Sequence, residues 1–303
     1  MKAASFAYGL CLTALLAHRP ANAAELNGLA DPANPTSPAS PATATPAEAP
    51  ASPVTPAPAA PLTDDRIIIT GDAMRLTGNH GGGGGSLDWL HNFNPDALLG
   101  VGGEHDFIYN SHWTFGSAFG SFSGGAPELR WNVYGEFHRG AGDIGVKPFD
   151  YGVEALGAGV TLHGTLSMQV ESRQFDIDPT HGNLPKITFA YLIGKQWLAT
   201  AAYAHSFGGN LDTELTYLKL DHYGRTINWL IGGAAGHASP AVVNLITGET
   251  GTPPQLREGF IGISKAYTRV EWSLLGDYLD LSGGKRVTVT LSCTIHARSG
   301  AAK

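Results

Sequence analysis

Arg286-Val287-Thr288-Val289-Thr290-Leu291-Ser292-Cys293-Thr294-Ile295 alternates without a break. Successive side chains of an extended chain point to opposite sides. One face therefore carries Val287, Val289, Leu291, Cys293 and Ile295, and the other carries Arg286, Thr288, Thr290, Ser292 and Thr294. The same period of two sets Leu129, Trp131 and Val133 against Arg130, Asn132, Tyr134 and Glu136. It sets Leu166, Met168 and Val170 against Ser167, Gln169, Glu171 and Arg173. Segments of this kind follow one another from Arg66 to Arg298. Each is about ten to thirteen residues, against about five or six for a typical soluble strand, and that length suits a tilted bilayer crossing. An apolar row facing lipid and a polar row facing a lumen is the wall of a membrane barrel.

The periodicity predicts strands at 66–78, 83–93, 97–108, 111–122, 128–140, 149–161, 165–177, 184–194, 196–207, 211–222, 226–237, 256–267, 269–280 and 285–297. The fold class is thus all-β: a transmembrane antiparallel up-and-down β-barrel of about 14 strands. Gly71-Asp72 interrupts the first segment, and because a single-chain bacterial barrel needs an even number, 12 strands is the alternative. With both termini in the periplasm, the even-numbered connections are short, as at Asn94-Pro95-Asp96, His163-Gly164 and Lys195. The odd-numbered ones include Asn79 to Gly82, Gly140 to Lys147, Asp178 to Asn183 and Ala238 to Gln255. Trp89, Trp131, Trp197, Trp229 and Trp272 fall toward the periplasmic interface, where an amphipathic ring is favoured, and Trp113 falls at the opposite end.

The chain before Arg66 is of a different kind. Met1-Lys2, an apolar run from Ala3 to Ala17 and the small-x-small Ala21-Asn22-Ala23 read as a signal peptide, 1–23. Residues 24–65 are mostly Pro, Ala, Thr and Ser. They bury too little apolar surface to offset their conformational entropy, which predicts a disordered periplasmic linker able to dock on a periplasmic complex. Residues 66–303 are the barrel. Removing Lys2 and Arg19 makes the net charge of −7 more negative by two, which argues against nucleic acid as a partner. Cys293 is then the one cysteine left, on the apolar face of the last strand, so no internal disulfide is expected.

Candidate chemistry is sparse. The polar faces of 128–140, 149–161 and 165–177 gather Arg130, Glu136, His138, Glu154, Glu171 and Arg173 as lumen-lining residues. Charges inside a barrel must be paired or solvated, so an ion-pair network is the simplest reading, and acid–base catalysis by paired carboxylates the sharper one. His237-Ala238-Ser239 sets a base and a nucleophile two residues apart on the outer face. That resembles the His-x-Ser signature of outer-membrane lipid hydrolases, although no Asn or Glu on the adjacent strands suggests itself to orient His237. Gly81 to Gly85 reads as a flexible loop, since no Gly-Lys-Ser/Thr follows. Asp176 to His181 reads as a solvated loop. No metal or other cofactor has support in the spacing of the histidines and carboxylates.

The region 66–298 resembles Gram-negative outer-membrane β-barrels. Leu220-Asp221-His222-Tyr223-Gly224-Arg225-Thr226, with the strand from Trp229 to Gly236, is similar to small YaiO-type barrels that accompany exopolysaccharide secretion. The resemblance implies a non-enzymatic outer-membrane channel or export-accessory protein, with outer-membrane lipid as surroundings and a polysaccharide or small polar solute as cargo. The alternatives are a lipid-modifying hydrolase using His237 and Ser239, and a structural anchor with a periplasmic tether. The chain runs past the last strand to Lys303 without an aromatic terminal residue, so the expected insertion signal is the internal Leu291-x-Cys293-x-Ile295.

Overall fold

A computed structural model describes residues 64–77, 81–94, 96–108, 111–144, 147–177, 180–209, 211–224, 226–237, 255–267, 269–281 and 284–298. The signal peptide, all but the last two residues of the linker, and Ser239 lie outside them. The strands are β1 (Asp64–Leu76), β2 (Gly81–Asn94), β3 (Ala97–Ile108), β4 (Ser111–Ala126), β5 (Leu129–Ile144), β6 (Lys147–Leu162) and β7 (Leu166–Ile177), then β8 (Thr180–Ile193), β9 (Trp197–His205), β10 (Glu214–His222), β11 (Asn228–His237), β12 (Gln255–Ala266), β13 (Val270–Leu281) and β14 (Gly284–Arg298). Each pairs antiparallel with its sequence neighbours, and β1 pairs with β14, so the sheet closes. The fold is a 14-strand up-and-down barrel, as the alternation predicts. Closure leaves no sheet edge with unpaired backbone groups, the condition for lying in hydrocarbon.

Register fixes the faces. Val289 of β14 stands opposite Ala73 of β1 and Gly276 of β13, in a row that continues on one side of the sheet. Large apolar side chains on that side are unusually bare: Leu156 is 72% and Leu218 61% exposed. A wall of such residues around a closed barrel is matched to lipid, and the protein is a bacterial outer-membrane barrel. The other side is concave. There the Tyr134 hydroxyl of β5 reaches Glu171 of β7 across β6, passing over Gly157, where a Cβ would overlap the tyrosine ring. Glycine at that position leaves the room for this contact two strands away.

Three expectations change. Gly71-Asp72 does not interrupt β1, since the ladder runs through both residues to β2 and β14. Gly81 to Gly85 is not a loop: it forms the first part of β2, paired to Arg75–Gly71 and, from Gly82 on, to β3. The connections expected at 140–147 and 178–183 shrink to 145–146 and 178–179, because β5, β6, β7 and β8 continue past the apolar stretch. Backbone pairing needs no apolar alternation, so strands outrun the pattern that reveals them. The asymmetry between the two ends therefore rests on 206–213 and 238–254. We call the end with these connections the loop end, and the end where β1 begins and β14 finishes the terminal end. The five interface tryptophans lie on the outer face toward the terminal end, Trp197 and Trp229 packing edge to face at 5.2 Å. Trp113, at the loop end, turns inward and is buried.

Candidate functional site: the inner wall

Two charged arcs line the inner wall. The first spans β5 to β8. Arg173 sits between two carboxylates, its Nε donating to Glu171 at 2.5 Å and its Nη2 to Glu136 at 3.1 Å. Glu171 also accepts from the Tyr134 hydroxyl and pairs with Lys186 at 2.9 Å. Glu136 meets His138 Nε2 at 2.6 Å. These positions alternate with the lipid-facing Phe137, Val170 and Ile187, so strand periodicity alone brings them to one face. Two acids face two cations; the side chains of Glu136, Glu171 and Arg173 are buried, that of Lys186 is partly exposed, and each finds a partner.

The structure brings together Glu136, His138, Glu171 and Arg173. It does not bring in Arg130, which faces inward near the terminal end and pairs with Asp96 at 2.5 Å. Glu154 is a correction: it does not line the lumen. It stands beside the outward Phe137 and Gln174, its side chain 54% exposed, 3.7 Å from Arg139. The inward residues of β6 there are Tyr151, Val153 and Ala155. Glu154 lies beyond the apolar outer stretch Leu156–Leu162, where an outward residue meets the polar rim rather than hydrocarbon, so polarity no longer reports facing.

The second arc runs through β12, β13, β14, β1 and β3, and sequence reasoning missed it. Asp277 accepts from Arg286 Nη2 at 3.2 Å, with Glu258 on the neighbouring strand. Arg286 lies close enough to act electrostatically on both Glu258 and Asp72. Asp72 and Asp106 converge over Gly84, where a Cβ would overlap the Asp106 carboxylate and come to 3.0 Å from Asp72 Oδ1. Asp106, 1% exposed, accepts from the Trp113 indole at 2.9 Å. Among the described residues no group of three or more His, Cys, Asp or Glu is arranged to hold a metal. The available signal was that Asp72, Asp106, Glu258 and Asp277 all fall on the inward register of their strands.

His237 faces outward at the loop end of β11. Its Nε2 lies 3.3 Å from Asp212 Oδ1 and its Nδ1 3.9 Å from Glu214 Oε2, while Tyr203 donates to Glu214 at 3.0 Å. The orienting carboxylate not found in the sequence is therefore present. Asp212 precedes β10 in an irregular connection, and Glu214 stands directly opposite His237 in the ladder. Ser239 lies outside the described residues.

No family model matches the chain, and no curated protein matches it in sequence. Solved structures do match. The CymD monoaromatic hydrocarbon channel superposes with a TM-score of 0.53 at 8% identity, covering 78% of this chain and 89% of that one. A TodX deltaS2S3 mutant monoaromatic hydrocarbon channel gives 0.52 at 8%, covering 79% and 91%. The KdgM porin gives 0.41 at 12%, covering 74% and 97%. The likeness is one of fold.

Proposed function

We propose that the barrel is an outer-membrane channel for a polar solute rather than an enzyme. The observation that carries this reading is the layer of inward charged side chains on a closed 14-strand wall, running from β1 and β3 through β5, β7 and β8 to β12–β14. A barrel that served only as an anchor gains nothing from burying charge on its inner wall, which costs free energy unless each group is compensated. Two of the structures that share the fold bear the name of channels, which fits the reading. The YaiO-type resemblance narrows the cargo to an exopolysaccharide. The test is planar-bilayer conductance and proteoliposome flux of the purified protein, with an oligosaccharide among the solutes. Discrete conductance steps or solute flux support the channel, and silence in both with the protein inserted refutes it.

One observation favours a second reading, a lipid-modifying hydrolase. His237 has carboxylates on hand from Asp212 and Glu214, the kind of group that orients a catalytic base. The channel reading expects Ser239→Ala and His237→Ala to leave flux unchanged and expects no phospholipid or acyl-ester hydrolysis by the native protein. Hydrolysis that disappears in the Ser239 variant establishes the enzyme. Silence in both assays leaves the anchor with a periplasmic tether in 24–65.

A further inference from the structure

The terminal end of the barrel is unevenly charged. Around β1 to β5, Asp65 meets His91 at 2.7 Å, Asp96 meets Arg130 at 2.5 Å, and Glu128 is exposed. From β8 to β13 the same end carries Lys195, Lys265 and Arg269, all exposed, and no carboxylate among the described residues pairs with them. The acids of that stretch stand on the inward register. Asp221 pairs with Lys219 at 3.0 Å, and Glu271 lies opposite Thr294.

Lys265 and Arg269 flank the tight connection between β12 and β13, where the Tyr267 backbone N–H donates to the Val270 carbonyl at 2.7 Å. Lys265 points outward, opposite Trp272 in the ladder, with its Nζ 5.1 Å from the Tyr267 ring. Two residues further along β12, Ile263 stands opposite Trp229. Trp229 stacks on His222 at 5.4 Å, and His222 meets Trp197 at 4.6 Å, so the rings form a ledge across three strands. Beyond the cations the outward positions are Ile263, Ile261 and Leu274, all bare. The outer face therefore passes from two cations, through indole rings, to hydrocarbon. That is the order of a phospholipid: phosphate, polar ester region, acyl chain. Indoles favour the middle level because the ring is apolar and its N–H donates.

The rings alone do not single out this place. On β2, Trp89 stacks with His91 at 5.8 Å and His91 meets Phe93 at 4.5 Å, but there Asp65 supplies the carboxylate. Only around the β12–β13 connection do cations without a protein partner join the rings. A zwitterionic headgroup brings its own ammonium and cancels the attraction; an anionic one supplies the missing charge.

We propose that the outer face around the β12–β13 connection holds one anionic glycerophospholipid. Its phosphate lies between Lys265 and Arg269, and its chains lie along Ile263, Ile261 and Leu274 beside Trp229 and Trp272. The site rests on the membrane placement of the barrel and is independent of what crosses the lumen.

The test places the full-length protein in phosphatidylcholine vesicles to which brominated phosphatidylglycerol or brominated phosphatidylcholine is added, since bromine quenches nearby indoles. The native protein is quenched more by the anionic lipid at equal fraction. The fraction needed for half-maximal quenching rises about fivefold for each cation removed by Lys265→Gln or Arg269→Gln. With Trp→Phe at the other positions, a protein keeping Trp229 alone shows the preference, and one keeping Trp131 alone does not. Native mass spectrometry of the protein with all its tryptophans gives a second readout if the single-tryptophan proteins fail to fold: one phosphatidylglycerol is retained, and it is lost in the Lys265→Gln, Arg269→Gln double variant. Equal quenching by the two lipids overturns the proposal, as does a preference unmoved in the double variant or equally strong at Trp131. A barrel dimer that the same double variant splits also overturns it, because a second copy then covers the patch.

Discussion

Replacing Arg173 by Met removes the cation held between Glu136 and Glu171 and leaves the side-chain volume nearly unchanged. Breaking a buried ion pair by removing one partner costs about 3–5 kcal/mol, because the remaining charge is buried without compensation. The structure places this case at the lower bound. Glu171 keeps Lys186 at 2.9 Å and the Tyr134 hydroxyl, and Glu136 keeps His138 at 2.6 Å. The expected loss is about 3 kcal/mol. Arg139 supplies the control. It also stands between two acids, Glu154 at 3.7 Å and Asp176 at 3.6 Å, but on the outer face with about half its side chain exposed. Exposed pairs are worth about 0–1 kcal/mol, so Arg139→Met loses no more than that. Urea unfolding in detergent micelles or vesicles measures both, with the temperature at which the folded band disappears on a gel as a second readout. Neutralising all three members, Arg173→Met with Glu136→Gln and Glu171→Gln, recovers most of the loss, since no buried charge is then left over. Equal losses in Arg173→Met and Arg139→Met, or no recovery in the triple variant, refute the inner-wall assignment of this network.

Val289→Arg harms assembly, because a cation on the lipid face costs about 2–4 kcal/mol at the bilayer midplane, whereas Thr290→Arg faces inward opposite Asp72 and inserts normally. Folding yield into vesicles compares the two, and equal yields show that the register of β14 is wrong. Gly84→Ala lowers the urea midpoint, because its Cβ meets the Asp106 carboxylate held by Trp113, while Gly81→Ala, with nothing within 4 Å, leaves the midpoint unchanged. Indistinguishable midpoints refute the convergence of Asp72 and Asp106 over Gly84. Ser239→Ala leaves solute flux intact, and loss of flux in that variant ties the channel to the His237 region.

The barrel was legible in the sequence because one solvent, lipid, imposes one rule on one face. Every outward residue from Val287 to Ile295 obeys it, and the alternation can be read residue by residue. The inner wall has no such rule. Met74, Phe175, Leu256 and Leu279 are apolar and point inward, and Glu154 is charged and points out, so polarity misassigns the strands where they pass the membrane boundary. The network of Glu136, Glu171 and Arg173 was legible because β5 and β7 alternate cleanly up to it. The Asp72–Asp106–Glu258–Asp277 arc was not, because its members come from strands at opposite ends of the chain, joined only by the closure of β1 on β14. The orienting carboxylates of His237 were missed for another reason. Asp212 lies in an irregular connection, and Glu214 becomes a neighbour of His237 only once the β10–β11 register is fixed.

Inward glycines bear on whether the wall serves a path or merely fills itself. A residue without a side chain on the concave face leaves room for the side chain of the next strand to lie along the wall. The Tyr134 ring occupies the space over Gly157, the Asp88 carboxylate that over Gly102, the Asp106 carboxylate that over Gly84 and the Phe260 ring that over Gly232. Each contact joins adjacent strands, and the hydrogen bonds of the β5–β8 arc reach no further than two strands. A barrel that used these groups to fill its centre would direct long side chains across the lumen toward the far wall and would keep its inward glycines few. Here the Tyr134, Asp88, Asp106 and Phe260 side chains lie over neighbours that lack a Cβ. At these four positions the wall itself makes the room that its side chains occupy, which is what the proposed solute path asks of it.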